Sequence, residues 1–198
     1  MVGTRYRIMI VLTPAFVPTA GGVQMSTGKM ARWFSSAGHE VKIFSFADSE
    51  HESPGYADFA HAERPGGSTL PENLANLVEA VRGFRPDVVI NQMPYEHEIG
   101  EALLKEKDYL LLACLRNTLY SVKGDLGGFI NRAVPGFMRP FFRNPVGRAV
   151  LLNRHRRAHA ADLQRILSTY DHFVMFGPPN LEELEYFVPG YDREKIRL

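Results

Sequence analysis

Residues 8–12, Ile-Met-Ile-Val-Leu, and the loop that follows them, Thr-Pro-Ala-Phe-Val-Pro-Thr-Ala-Gly-Gly at residues 13–22, decide the fold of this chain. An unbroken apolar run of this length is typical of a strand covered on both faces, and such strands belong to parallel sheets. After the two glycines a helical pattern begins, which ends before Gly38. Its inward face is predicted to hold Val23, Thr27, Met30, Ala31, Phe34 and Ala37.

Buried runs and helical stripes alternate along the rest of the chain. Further strands are predicted over residues 41–46, 88–90, 109–115 and 172–176. Helices are predicted over residues 23–37, 71–84 and 95–107 and after residue 180, with Asn180 as N-cap and Glu183 completing a capping box. Residues 47–70 are polar and predict a long loop. The alternation predicts one α/β domain, a doubly wound, mostly parallel Rossmann-like sheet of at least five strands with helices on both faces.

Composition limits the class of function. Lys and Arg number 23 against 22 Asp and Glu, so the whole chain is not a polyanion binder and no nucleic-acid partner is expected. The single cysteine, Cys114, excludes an internal disulfide and a multi-cysteine zinc site, and its place in a strand predicts a buried hydrophobe. No apolar run reaches the roughly 18 residues of a spanning helix, and the amino-terminal run is too short for a signal peptide. A cytoplasmic protein without metal or cofactor is expected.

The glycine turn indicates a phosphate site. Gly21 and Gly22 stand where the first helix begins, and without β-carbons they allow a ligand to approach the backbone. A helix amino terminus offers unpaired N–H groups and partial positive charge, which suit a phosphate or diphosphate. The alternative is an ordinary turn. The dinucleotide fingerprint G-x-G-x-x-G is absent, which disfavours a nicotinamide dehydrogenase.

A series of motifs gives a more specific indication. RIMIVLTPAFVPTAGGVQ is followed by AGHEVKIFSF, RPDVVIN, LLLACLRN and TYDHFVMFGPPNLEELEYF. In type, order and spacing, with Gly38-His39-Glu40-Val41 and Pro86-Asp87-Val88-Val89 as the best matches, this series resembles the N-terminal domain of GT-B fold glycosyltransferases. The resemblance covers essentially all 198 residues and is strongest to the retaining family four, whose members use nucleotide-sugar donors.

The resemblance implies a function and a domain organisation. Residues 1–198 would be the acceptor-side domain, and a C-terminal donor-binding domain would be absent from this chain. The enzyme would transfer a sugar from a nucleotide-diphosphate sugar to an acceptor hydroxyl in glycan, glycolipid or polysaccharide biosynthesis, with retention, and the fragment alone would be inactive. Gly21, Gly22 and Val23 would face the donor phosphates. The alternative is a stand-alone Rossmann-like module that binds a nucleotide or a partner through a basic surface.

Acceptor-side candidates follow the third and fourth predicted strands. Glu96 and His97 could contact acceptor hydroxyls or act as a base, or they could simply form the charged first turn of a helix. Arg116 and Asn117 stand where many relatives carry a histidine. Arginine is no base at neutral pH, but it pairs with phosphate or carboxylate. This departure predicts an unusual acceptor or a shifted alignment.

Two other pairs have weaker claims. Asp48 and Glu50 follow the second strand, where dinucleotide folds place a ribose-binding acid, but the fingerprint that accompanies it is missing. His155 and His159 lie four residues apart on a predicted helix and could present two metal ligands. Because three arginines lie nearby, an exposed basic face is the favoured interpretation.

Residues 126–165 are unusually basic. They contain eight arginines, no lysine and one acid, Asp162, so their formal charge is +7 and that of the remainder is −6. Phenylalanines and other apolar residues are interleaved, and prolines 135, 140 and 145 interrupt the helical pattern. The aromatic residues could be core beneath a solvated basic face, or the segment could meet anionic lipid or a lipid-linked acceptor at the inner face of a membrane. Nucleic-acid binding could use the same residues, but no groove-reading motif accompanies them. The surface candidates are Arg132, Arg139, Arg143, Arg148, Arg156 and Arg157.

Overall fold

Seven parallel strands form a single sheet in this computed structural model, which describes residues 4–13, 16–17, 21–46, 55–61, 67–115, 126–175 and 177–197. The sheet order is β3-β2-β1-β4-β5-β6-β7. The strands are β1 (Arg7–Leu12), β2 (Glu40–Ser45), β3 (Asp58–His61), β4 (Val88–Asn91), β5 (Leu110–Leu115), β6 (His172–Met175) and β7 (Ile196–Arg197). This is an α/β Rossmann-like sheet, so the predicted fold class is confirmed.

Helices connect the strands in the described part of the chain. They are α1 (Gly21–Ser36), α2 (Pro71–Phe84), α3 (His97–Leu104), α4 (Leu126–Ala133), α5 (Arg139–Arg143), α6 (Pro145–Thr169) and α7 (Pro178–Phe187). Local chemistry sets several of their ends. Gly38, at φ +90°, follows the end of α1. Arg85 ends α2 in the left-handed conformation, and Pro86 after it cannot continue the helix. Asn144 caps α6 by accepting a hydrogen bond from the Gly147 N–H at 2.8 Å.

The core lies on both faces of the sheet. Along β1, Met9 and Val11 join a cluster with buried residues of α2, α3, α6 and α7, whereas Ile8, Ile10 and Leu12 join a second cluster that includes Ala31 of α1. Alternate residues of a strand point to opposite faces, so an unbroken apolar run is what a sheet covered on both faces requires.

Helix α6 is by far the longest helix described. Its 25 residues span about 37 Å, roughly twice the length of a six-residue strand. Near its carboxyl end Leu163 and Ile166 are buried in the core, and the neighbouring Asp162 lies beside His97 at the start of α3. From residue 148 to 162 no side chain of α6 is fully buried.

Several sequence predictions need correction. Residues 58–61, predicted as loop, form the edge strand β3, and β7 adds a second edge. The predicted helix at 95–107 is shorter at both ends, with Glu96 in the N-cap position. Ala37 is exposed beyond the end of α1 and does not face inward.

The capping box at Asn180 is wrong. Helix α7 begins at Pro178 with Gly177 as N-cap, because proline suits the first position of a helix and Gly177, at φ +125°, permits the turn into it. Asn180 lies within the helix and donates to the Leu115 carbonyl oxygen at 3.4 Å.

Candidate functional site

The carboxyl edge of the sheet between β1 and β4 is the topological switch point, where the chain turns to one side after β1 and to the other side after β4. Ligands of open α/β sheets bind beyond the strands at such a point. Helix α1 begins here with Gly21 and Gly22. A β-carbon placed on Gly22 would have no heavy atom within 4 Å, so the first turn of α1 has open space beside it at this residue. The first N–H groups of a helix lack partners within the helix, which makes this terminus suited to an anion.

Gln92 is a site residue that the sequence analysis did not identify. Its backbone N–H donates to the Val11 carbonyl oxygen at 2.9 Å, which places it beside the end of β1. Its side chain is 3% exposed, and neither amide atom has a hydrogen-bond partner among the described residues. The hydroxyl of Thr27, buried on α1, also has no partner there. A buried polar group without a partner is costly, so the amide of Gln92 is suited to a ligand that supplies one.

In the neighbouring Asn91, by contrast, both atoms of the side-chain amide have hydrogen-bond partners within the protein. Its side-chain oxygen accepts from the Met93 N–H at 2.9 Å, and its side-chain nitrogen donates to the Tyr170 hydroxyl at 2.6 Å. Burial raises the pKa of Tyr170 to about 12, and the hydrogen bond from Asn91 opposes that rise. The phenol is therefore neutral at physiological pH, and the pair links β4 to the start of β6 as a structural element.

The acceptor-side candidates Glu96 and His97 lie at this same edge. Glu96 accepts a hydrogen bond from the hydroxyl of Ser68, and its side chain does not cap α3. His97 Nε2 lies 3.5 Å from a carboxylate oxygen of Asp162 on α6. Both side chains are half-buried, so each remains accessible to a ligand while a protein partner orients it.

Three further polar residues approach the edge near the end of β5. Asn180 contacts Leu115, the last residue of that strand, and Glu183 lies one turn further along α7 and is buried. Burial, and secondarily the negative charge of Glu183, raises the pKa of Tyr95. The sequence signal for Asn180 and Glu183 was present but was assigned to a helix cap.

Some candidates lie outside the described residues. These are Arg116, Asn117, Asp48 and Glu50. Within the described ranges no group of three His, Cys, Asp or Glu residues is arranged to hold a metal ion. The rings of His155 and His159 lie 4.4 Å apart, and His155 packs between Phe129 and Phe187. Partial burial, and secondarily the neighbouring His159, lowers the pKa of His155.

The arginines of the basic segment lie along α4, α5 and α6. Arg139 donates to the Val134 carbonyl oxygen at 3.0 Å, and Arg143 donates to the Asn131 side chain at 2.9 Å. Arg156 stacks over Tyr186 at 5.3 Å, whereas Arg132, Arg148 and Arg157 are exposed. In the part of the chain described here, no helix combines the length and the apolar character needed to cross a membrane.

The fold is similar to that of the Rossmann-like halves of GT-B glycosyltransferases whose structures have been solved. A sucrose-phosphate synthase from Thermosynechococcus elongatus superposes with a TM-score of 0.66 at 15% identity, over 98% of this chain and 47% of that chain. HepE from Anabaena, in complex with UDP and glucose, gives a TM-score of 0.57 at 10% identity, over 98% of this chain and 43% of that chain. A glycosyltransferase from Rickettsia africae gives a TM-score of 0.55 at 16% identity, over 98% of this chain and 42% of that chain.

These likenesses show the fold. The chain spans less than half the length of each of the three structures. No protein-family model matches the chain, and no curated protein sequence matches it.

Proposed function

We propose that this chain is the acceptor-side half of a GT-B glycosyltransferase, which moves a sugar from a nucleotide-diphosphate sugar to an acceptor hydroxyl. One observation carries the proposal. At the switch point of the sheet α1 begins with open space beside Gly22, and Gln92, next to the end of β1, carries a buried amide that has no partner among the described residues. The likeness to HepE, whose structure holds UDP and glucose, supports a nucleotide sugar as the ligand.

The donor's diphosphate would lie at the start of α1. Backbone N–H groups at Gly21 and Gly22 would donate to phosphate oxygens, and the partial positive charge of the helix terminus would favour the anion. As the sugar departs, negative charge grows on the diphosphate. Donors that are already oriented stabilise that charge without reorganisation, which is how this half of the enzyme would lower the barrier.

The acceptor would lie along the same edge, near β4 and β5. Glu96, His97 and Tyr95 offer a carboxylate, an imidazole and a phenol, which suit an acceptor rich in hydroxyl groups. Arg116 and Asn117 remain candidates from the sequence. His97 is oriented by Asp162, so it is the best placed of these residues to accept the proton of the attacking hydroxyl.

The finer assignments rest on the motif series. We propose the retaining family four type, in which the reaction depends on positioning and on stabilising the leaving diphosphate and needs no protein nucleophile. The acceptor would be a glycan or a lipid-linked saccharide in polysaccharide or glycolipid biosynthesis in the cytoplasm. Peripheral association with a membrane is a separate proposal, because it depends on another surface.

Gly22→Leu tests the donor site. In the full-length polypeptide of the natural reading frame, the branched side chain would occupy the space where the diphosphate lies. We expect release of nucleoside diphosphate from a sugar donor to fall at least tenfold, or about 1.4 kcal/mol. The melting temperature should be unchanged or slightly higher, because the new side chain meets open space and leucine favours helix over glycine.

Gly83→Leu is the matched control. Gly83 lies in α2, also with no heavy atom within 4 Å of a β-carbon, so the same substitution there should leave transfer unchanged. A Gly22→Leu enzyme with normal turnover would reduce the glycines to an ordinary turn.

The 198-residue chain provides a second test. We expect it to unfold cooperatively, because its sheet has a core on both faces. It should show no turnover of common nucleotide sugars, since the donor-binding half would be missing. Turnover by the purified chain would contradict this domain assignment, and a natural reading frame that stops at Leu198 would favour a stand-alone nucleotide-binding module.

A further inference from the structure

Exposed apolar side chains are concentrated in one short stretch of the chain. Of the eleven large hydrophobic side chains that are exposed among the described residues, five fall between residues 137 and 150, and they are 37–85% exposed. We call them the apolar ridge: Phe137, Met138, Phe141, Val146 and Val150. Scattered exposed apolar residues are normal on a protein surface, but a contiguous set of this kind marks an interaction site.

The charge around the apolar ridge has one sign. Arg139, Arg143 and Arg148 lie in the same stretch, and residues 126–161 contain no acid and no lysine. Arg139 and Arg143 are held by hydrogen bonds to uncharged oxygen atoms of Val134 and Asn131. These bonds orient the guanidinium groups without neutralising them, so the ridge carries cations among its apolar residues.

Helix α5 and the start of α6 present the ridge as a rigid unit. A β-carbon on Gly147 would collide with the Phe141 carbonyl oxygen, so the two helices meet with backbone against backbone. Phe141 therefore lies beside the turn of α6 that carries Val146 and Val150. The backbone at Phe141 and the first turn of α6 are thus held together without any rearrangement.

The ridge lies away from the core, on the side of the sheet where ligands bind. Helices α3 and α6 run in the same direction, because Asp162 contacts His97 and Arg165 pairs with Glu101. Residues 145–161 of α6 therefore extend about 25 Å beyond the start of α3, past the carboxyl edge of the sheet. A surface docked on this ridge would lie on the same side of the sheet as the proposed acceptor site.

We propose that the apolar ridge docks on an anionic lipid bilayer. Apolar side chains at the tip of a helical corner can enter the boundary between headgroups and acyl chains, while neighbouring arginines pair with anionic headgroups. A nucleic acid would satisfy the arginines but would leave Phe137, which is 85% exposed, and Val146 in contact with water. The combination of unneutralised cations and protruding apolar side chains therefore favours the bilayer.

Co-sedimentation of the 198-residue chain with vesicles tests this proposal independently of glycosyl transfer. One set of vesicles is phosphatidylcholine and the other contains about 30% phosphatidylglycerol, each at about 50 mM and about 300 mM salt. We expect at least tenfold stronger partitioning onto the anionic vesicles at low salt. High salt should weaken it severalfold, because exposed charges are screened.

Variants separate the two components of the surface. Phe137→Ser and Arg148→Glu change exposed side chains, so each should fold normally and each should reduce binding at least fivefold. Combining Arg148→Glu with Arg139→Glu and Arg143→Glu should abolish binding. Trp33→Ser is the matched aromatic control, since Trp33 is 67% exposed on α1, and Lys29→Glu is the charge control. Neither control should change binding.

Several outcomes would overturn the proposal. One is failure to bind anionic vesicles at low salt, and another is equal binding to neutral vesicles. Self-association that Phe137→Ser removes, in the absence of lipid, would assign the ridge to a second copy of the chain. Binding to duplex DNA that Arg148→Glu weakens and Phe137→Ser does not would assign the arginines to a nucleic acid.

Discussion

The central strands and the basic helical segment place the same kinds of residue in opposite environments. Apolar side chains of β1 such as Ile10 are completely buried, whereas Phe137 and Val146 in the basic segment are largely exposed. Both regions are apolar in sequence. In β1 the apolar run is uninterrupted, whereas between residues 137 and 150 arginines and prolines divide it. An uninterrupted apolar run therefore identifies a strand buried on both faces, whereas apolar residues divided by arginines and prolines do not by themselves identify a core.

The largest expected difference in stability is between two variants that each replace one phenylalanine by alanine, one in the sheet and one in the basic segment. Phe173→Ala in β6 removes a completely buried ring, and we expect the free energy of unfolding to fall by about 3–5 kcal/mol. Phe137→Ala should change it by less than about 0.5 kcal/mol. Urea denaturation of both variants measures the difference. Equal losses would mean that the ridge is part of the core, and the comparison would fail.

An intermediate effect is expected at the corner between α5 and α6. Gly147→Ala places a methyl group against the backbone of Phe141, and we expect a loss of about 2 kcal/mol, because neither helix can move without disturbing the other. The same variant should weaken vesicle binding. Gly127→Ala in α4 is the control, since a β-carbon there meets open space, and it should be neutral or slightly stabilising. A Gly147→Ala protein of normal stability would show that the corner is not tightly packed.

The smallest effect concerns an ion pair at the amino edge of the sheet. Partial burial alone would raise the pKa of Asp171, but the hydrogen bond from Lys107 Nζ at 2.6 Å and that from the Leu111 N–H at 2.8 Å lower it further than burial raises it. The ionised form is therefore favoured in the folded state. Because both partners are about one-third exposed, Asp171→Asn should cost only about 1 kcal/mol at neutral pH.

The pH dependence of that loss checks its cause. A carboxyl group whose pKa is lowered on folding contributes stability above its unfolded pKa of about 3.9, and the contribution is lost as the pH falls through the folded value. The difference between wild type and Asp171→Asn should thus be constant from neutral pH to about pH 5 and should shrink below about pH 4. A difference that is independent of pH would assign the loss to packing.

The sequence predicted the sheet where periodicity was strong. Long apolar runs and amphipathic stripes identified five strands and the main helices, because burial on both faces leaves a clear pattern. Strand β3 was missed, since its four residues lie at an edge, with exposed Asp58 and His61, inside a polar stretch. Strand β7 has two residues and carries no pattern. At α7 two signals competed, and the position of proline decided the start of the helix rather than Asn180.

The candidate site was predicted only in part. The glycine turn and the Glu96-His97 pair could be located because each directly follows a predicted strand or begins a helix. Gln92 also follows a strand directly, but the feature that distinguishes it from Asn91 is whether its amide has a partner. That depends on Tyr170, far along the chain, so no local pattern could have separated the two residues. The exposure of the apolar ridge could not be predicted from a local pattern either.

Helix α6 connects the core of the domain to the outer surface that carries the apolar ridge. Its buried anchor is the pair Leu163 and Ile166, and from there the helix extends about 27 Å to Pro145. Along that length it contacts Phe187 of α7 through His155 and Phe141 of α5 at Gly147. A rotation of about 5° about that anchor would move the far end by about 2 Å, and α5 and α7 would have to move with it, because both contact that part of the helix. The position of the outer surface therefore depends on the packing of all three helices and not on the two core side chains alone.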